Sequence, residues 1–365
     1  MDNEVWARPD LDSAYRRERR RLPRGRRWRY RRAEHEGLCQ TYAALDLGTN
    51  NCRLLVARPS RDGFRVIDAF SRIIRLGEGV SSSRRLGEAA MARALSALAV
   101  CRDKIRGREV TRARLVATEA CRAAENGADF VHRVGEEIGL KLEIIDRETE
   151  AQLAAGGCTP LLDPQAEGAI LFDIGGGSSE LVRLEQCPPS DGGPPLPKIR
   201  GWTSLPIGVV TLAERHGGVR VDRPLYELMI AEVAQYVDAF AAAHGGQIRA
   251  DAVHMLGTSG TVTTIAGVHL GLQRYERRRV DGCWMTNSEI SLVVERLLAM
   301  SYEERVANPC IGIERADLVL GGCAILEAIR RAFPCVKLRV ADRGLREGML
   351  VELMRQDGAW SHPRA

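Results

Sequence analysis

The chain has 365 residues, 45% hydrophobic and 28% charged, a balance that excludes a wholly disordered, collagen-like or membrane-embedded protein and leaves length for about two domains. Its net charge of +5 is local in origin, because Tyr15 to Arg32 holds eleven Arg and one Glu while the other 347 residues are net −5. A basic tail on an acidic body is no argument for a nucleic-acid-binding fold.

Ten Cys are scattered singly, with no C-x-x-C pair and no secretory h-region near the start. The expectation is reduced thiols and a cytoplasmic location. No uncharged apolar stretch approaches the ~18 residues of a membrane span, so no membrane partner is expected. Only four cations are Lys, no G-x-x-x-x-G-K-[ST] or H-E-x-x-H occurs, and the seven His show no ligand spacing.

Residues 1–40 lack periodicity, interleave Trp28 and Tyr30 with the Arg run, and read as a flexible extension. From Thr41 the texture becomes strand-like, with strands expected at Tyr42 to Leu47, Arg53 to Ala57 and Phe64 to Leu76. Helical spacing of Ala, Leu and Val follows at Gly87 to Arg106, then a strand at Arg114 to Ala117, a helix at Ala128 to Ile138, a strand at Leu140 to Ile145 and a helix at Arg147 to Ala155. The order is βββαβαβα, and 41–165 reads as one lobe. It restarts in a second lobe, 166–358. Strands there are expected at Ala169 to Asp173, Glu180 to Leu184 and Lys198 to Leu205, with a hairpin loop over Cys187 to Pro197. A helix (Pro224 to Ala243), a strand (Ala252 to Leu256), a helix over Arg315 to Arg331, a strand (Val336 to Ala341) and a helix (Leu345 to Met354) complete it, and 359–365 is a tail.

The repeat is clearest in two loops, Leu45-Asp46-Leu47-Gly48-Thr49-Asn50 and Phe172-Asp173-Ile174-Gly175-Gly176-Gly177-Ser178. Each ends an apolar strand with Asp and enters a hairpin of small residues. Successive backbone N–H groups in such turns cradle phosphate oxygens, and the adjacent Asp can hold a divalent cation. Glu180 lies close enough in sequence to Asp173 for both to reach one cation. A third turn, Gly257 to Thr261, has the spacing G-x-S-G rather than that of a serine-nucleophile elbow, and reads as a phosphate-contacting or structural turn.

Glu148 and Glu150 open a helix, where the dipole favours carboxylates whatever the function. Arg122, at the end of a strand, and Arg53, just after the first loop, are either surface ion-pair partners or guanidinium contacts for a polyanion.

Asp46-Leu47-Gly48-Thr49-Asn50-Asn51-Cys52-Arg53-Leu54 resembles the D-x-G-S-N-S-x-R-L opening of the exopolyphosphatase and guanosine pentaphosphate phosphohydrolase (Ppx/GppA) family, and Asp173 to Leu181 is similar to its D-I-G-G-G-S-T-E-L hallmark. Arg75 to Val80, Thr118 to Arg122, Glu148 to Ala151, Pro206 to Gly208, Gly257 to Thr261, Arg315 to Asp317 and Asp342 to Gly348 resemble further motifs in the same order, over about residues 41 to 355. The resemblance implies an α/β, duplicated actin, Hsp70 and sugar-kinase fold with the active site between its lobes, and Mg²⁺-dependent (or other divalent-cation-dependent) hydrolysis of a terminal phosphoanhydride. It puts the catalytic base on Glu150 and the metal acids on Asp173 and Glu180. Phosphate contacts fall on Gly48, Thr49, Asn50, Arg53, Arg122, Gly175, Gly176, Gly177, Ser178 and Arg315.

The chain departs from the family pattern at Thr49 and Asn51, at Thr149 for the first Glu of E-E-A, and at Ser179 for Thr. These keep phosphate donors but remove one auxiliary carboxylate. Ending soon after Gly348, the chain resembles the short, two-lobed members. The expected substrate is inorganic polyphosphate, with guanosine pentaphosphate as the alternative. A kinase of the same fold and a non-catalytic sensor of the same polyanions are the rival readings. A homodimer is allowed for. The Arg run is either a solvated extension or a contact for RNA or polyphosphate through counterion release.

Overall fold

The computed structural model describes residues 40–61, 63–187, 196–245 and 249–360. The Arg-rich extension, most of the 187–197 loop and the last five residues therefore lie outside the described residues.

Strands β1 (Tyr42–Leu47), β2 (Asn51–Ser60) and β3 (Gly63–Ile73) form an antiparallel meander, and β4 (Arg112–Ala117) and β5 (Glu143–Ile144) extend it in parallel beside β1. The order is β3-β2-β1-β4-β5. In the second half β6 (Gly168–Ile174), β7 (Ser179–Cys187) and β8 (Leu196–Leu205) repeat the meander, while β9 (Val253–Thr258) and β11 (Lys337–Ala341) run parallel to β6. A short β10 (Trp284–Thr286) closes the β11 edge antiparallel, giving β10-β11-β9-β6-β7-β8. The same 3-2-1-4-5 order on both sides is the duplicated topology of the actin, Hsp70 and sugar-kinase fold.

The helices are α1 (Val80–Ser83), α2 (Glu88–Gly107), α3 (Glu119–Ala123), α4 (Gly127–Ile138), α5 (Arg147–Cys158), α6 (Val209–His216), α7 (Arg223–His244), α8 (Gly260–His269), α9 (Arg277–Val280), α10 (Asn287–Ala299), α11 (Tyr302–Ala307), α12 (Val319–Ala332) and α13 (Leu345–Gln356). One apolar core joins α2, α3 and α4 to one face of the first sheet, and a larger one joins α6, α7, α8, α10 and α12 to the second.

Two helices cross between the halves. Helix α5 buries Ala151, Ala155 and Cys158 against Ala169, Leu171 and Val182 of the second sheet, whereas α13 buries Met349, Leu350 and Leu353 against Tyr42, Ala44 and Leu55 of the first. They touch backbone to backbone: a Cβ on Gly157 would stand 2.0 Å from the Gly344 carbonyl oxygen, and one on Gly348 1.9 Å from that of Leu153. No side chain larger than hydrogen fits either position without displacing a helix.

Some elements differ from the sequence reading. The helix expected from Arg315 starts at Val319, because residues 312–318 form turns in which Ala316 N donates to Gly312 O and Leu318 N to Arg315 O. Strand β3 ends at Ile73 rather than Leu76, since the amides of Ile74 and Arg75 turn to the Asn50 carbonyl. The strand expected over Leu140 to Ile145 is reduced to two residues at a sheet edge, and β10 is too short to leave a period-2 signal.

Candidate active site

The two Asp-containing loops end equivalent strands and close in the same way. Gly48 N donates to Asn51 O and Gly175 N to Ser178 O, each at 2.9 Å. Register then fixes what faces each Asp. Asp46 opposes Arg53 across β1 and β2, while Asp173 opposes Glu180 across β6 and β7. Directly opposed residues of an antiparallel pair share a face, with Cβ atoms about 5 Å apart. The duplicated scaffold therefore carries an acid–base pair on one side of the cleft and a pair of acids on the other.

Between the halves lies a cleft of about 850 Å³. It is lined by both hairpins (Gly48, Thr49, Asn50; Gly175, Gly176, Gly177, Ser178) and by Arg53, Glu150, Asp173, Glu180 and Arg315. The hairpins meet across it: a Cβ on Gly176 would stand 2.9 Å from Thr49 Cβ. Of the catalytic, metal and phosphate residues that the resemblance implies, Arg122 alone is not among the cleft lining, and Glu148, the neighbour of Glu150 in the first turn, is absent from it too. Arg122 instead stands against Glu150. Its Nη2 is 2.7 Å from Glu150 Oε2, an ion pair whose geometry falls short of a hydrogen bond, and its Nη1 donates to Ile145 O at 2.7 Å.

Helix α5 places Glu150 in its first turn, capped by Asp146, which accepts from Thr149 N at 2.7 Å. Burial, then repulsion from Glu180, holds the Glu150 carboxyl well above the usual carboxylate range, with Arg122 acting the other way. Burial likewise pushes Asp173 up to about 6, and burial with repulsion from Asp173 pushes Glu180 up to about 7. Glu180 Oε1 accepts from Ser178 Oγ (2.8 Å) and Ser204 Oγ (3.0 Å), which partly offsets this. Asp46 is raised by burial as well.

Such mutual repulsion fits a divalent cation. Among the described residues no group of three or more His, Cys, Asp or Glu side chains is arranged to hold a metal ion. The donor set suits Mg²⁺, which takes one or two carboxylates and completes its shell with water and phosphate oxygens.

Several cleft residues lay inside motifs quoted from the sequence without a role of their own being assigned there. Asp46 was legible as the repeat partner of Asp173. Glu119 accepts from Arg122 Nη2 (2.9 Å) and Arg147 Nη2 (2.9 Å), a bridge that depends on three separated segments. Arg346, inside the quoted Asp342 to Gly348 motif, reaches the cleft from α13. In the third turn Ser259 has φ 117°, a strained conformation for a non-glycine residue, and its buried Oγ has no hydrogen-bond partner. It starts α8, whose N-terminal amides border the cleft.

The model of the Ppx/GppA phosphatase family matches residues 55–357. Among solved structures, a family member from Aquifex aeolicus is 28% identical, covers 87% of this chain and 98% of its own, and superposes with a TM-score of 0.69. An exopolyphosphatase-like protein is also 28% identical with the same coverage and a TM-score of 0.75. An exopolyphosphatase from Cytophaga hutchinsonii, 22% identical over the same shares of the two chains, has a TM-score of 0.78 and shares the fold.

Proposed function

The chain belongs to the Ppx/GppA phosphatase family and is a phosphoanhydride hydrolase, and from that premise we propose that it releases terminal phosphate from inorganic polyphosphate. The observation that carries this reading is the place of Glu150: a carboxyl with raised proton affinity, held by Arg122, at the wall of a cleft whose two hairpins offer backbone amides. A base whose pKa is lifted toward the working pH is suited to taking a proton from water.

In this reading the hairpins, Gly48 to Asn50 and Gly175 to Ser178, bind the terminal phosphoryl oxygens. Arg53 and Arg315 offset their charge and Glu150 orients and deprotonates the attacking water. Arg122 fixes Glu150 from behind rather than touching phosphate. Asp173 and Glu180 would hold a divalent cation, Mg²⁺ foremost, which supplies charge neutralisation on the transferring group. Phosphoryl transfer asks for positioning and electrostatics more than covalent chemistry, and this is what the residues offer. Among the described residues no helix is long and apolar enough to cross a membrane, and the cytoplasm is the setting we propose.

Guanosine pentaphosphate is the second reading, supported by Tyr275. Its ring lines the cleft, is 41% exposed and is anchored by its hydroxyl, which donates to Asp342 Oδ2 at 2.7 Å. An anchored aromatic face of this kind can stack a base. Initial rates on long polyphosphate, short polyphosphate and guanosine pentaphosphate, without any added acceptor, test the proposal. Faster release from polyphosphate supports it, and release from guanosine pentaphosphate alone overturns it in favour of the second reading.

A further inference from the structure

Behind the cleft, each phosphate hairpin is backed by a different segment. The first is backed by residues 74–79, between β3 and α1. Ile74 N and Arg75 N donate to Asn50 O at 2.8 and 3.1 Å, and Gly77 N donates to Thr49 O at 2.9 Å. Arg93 of α2 holds this segment from outside, donating to Ile74 O (2.8 Å) and Arg75 O (3.3 Å). The second hairpin is backed by α6, whose Val209 N and Val210 N donate to Gly175 O (3.0 Å) and Gly176 O (2.8 Å).

The two backings are joined directly. Glu214, on the second turn of α6, accepts from Gly79 N at 2.8 Å and from the Ser81 hydroxyl. Arg75 Nη2 donates to Asp317 Oδ1 at 3.2 Å and to Glu314 O at 3.4 Å, gripping the turn that carries Arg315. These polar links border a separate cavity of about 190 Å³, lined by Arg75, Glu214 and Asp317 together with Val210, Val219 and Leu318.

We propose that Arg75 and Glu214 are positioning residues, a latch that sets the spacing of the two phosphate hairpins and so the fraction of molecules with a closed, binding-competent cleft. The inference rests on the proposed polyphosphate-hydrolysing function for its kinetic consequence only. When binding competence belongs to a fraction of molecules, the apparent dissociation constant rises as that fraction falls, while saturating substrate restores closure. Weakening the latch therefore raises KM and leaves kcat nearly unchanged.

The test uses the full-length chain with Arg75→Ala, Glu214→Ala and Glu214→Gln. The two alanine variants should raise KM for polyphosphate about three- to tenfold, as a shift in closed fraction requires. Glu214→Gln keeps an oxygen acceptor for the Gly79 amide and should recover most of the loss. A kcat that falls at unchanged KM would mark a merely structural role and overturn the proposal, as would wild-type kinetics. Small-angle scattering reads the same latch without turnover: the Arg75→Ala/Glu214→Ala double variant should have a larger radius of gyration than the unaltered chain. If the unaltered chain releases no phosphate from polyphosphate, the functional reading fails while scattering still decides the latch. An unchanged radius would overturn it.

Discussion

Arg122 Nη2 lies 2.7 Å from Glu150 Oε2 and 2.9 Å from Glu119 Oε2, so one guanidinium holds two carboxylates of the cleft wall. Burial strongly raises the proton affinity of Glu150, and Arg122 restrains that rise. Removing Arg122 leaves burial and Glu180 unopposed and moves the Glu150 pKa further up. The acid limb of the kcat–pH profile of Arg122→Ala should therefore shift to higher pH, with activity at pH 7 reduced by on the order of tenfold or more as the base becomes protonated. An unshifted limb would show that Arg122 does not tune the base.

Asp173 and Glu180 make the stability of the fold depend on pH. Their folded-state values of about 6 and about 7 exceed those of unfolded Asp and Glu, about 3.9 and 4.3, so in the interval between them the folded chain binds protons that the unfolded chain has released. Stability then falls as pH rises through that interval. Without a divalent cation the Tm should be higher near pH 5.5 than near pH 8, and added Mg²⁺ should raise Tm more at pH 8 than at pH 5.5. Asp173→Asn should raise the metal-free Tm at pH 8 and cost most of the activity. A metal-free Tm that climbs with pH would contradict the charge arrangement.

The crossing of α5 and α13 allows little room for substitution. A Cβ at Gly157 would meet the Gly344 backbone at 2.0 Å and must push the helices apart. Gly157→Ala should cost ~1–3 kcal/mol by overpacking, measured by denaturant unfolding. Because α5 also carries Glu150, activity should fall by more than the loss of folded protein explains. A neutral substitution would mean that the helices separate freely.

Much of this arrangement is legible in the sequence. The two hairpins, Asp173 with Glu180 and the restart of βββ at Ala169 all follow from local apolar runs ending in Asp and small residues. Arg122 was legible as a residue but not as a partner of Glu150, because their meeting depends on α3 ending beside the start of α5. Arg315 was read as helical from its apolar followers, whereas tertiary contacts of the 312–318 turns override that pattern. Glu214 left no signal at all: an acid on an amphipathic helix is ordinary until Gly79 is found opposite it.

The Arg run at residues 16–32 gives a prediction from charge alone. If it captures polyphosphate by counterion release, deleting residues 1–38 should raise KM for long chains several-fold at low salt and leave kcat unchanged, with the difference fading near half-molar salt. An unchanged KM at low salt would make the run a bystander.

If Glu150 activates water in this cleft, purified Glu150→Gln should release little phosphate from polyphosphate. The substitution keeps size and one oxygen while removing the base, so release should fall by about 10²- to 10⁴-fold with the fold and Tm retained. Release at the wild-type rate from a folded Glu150→Gln protein would contradict the account.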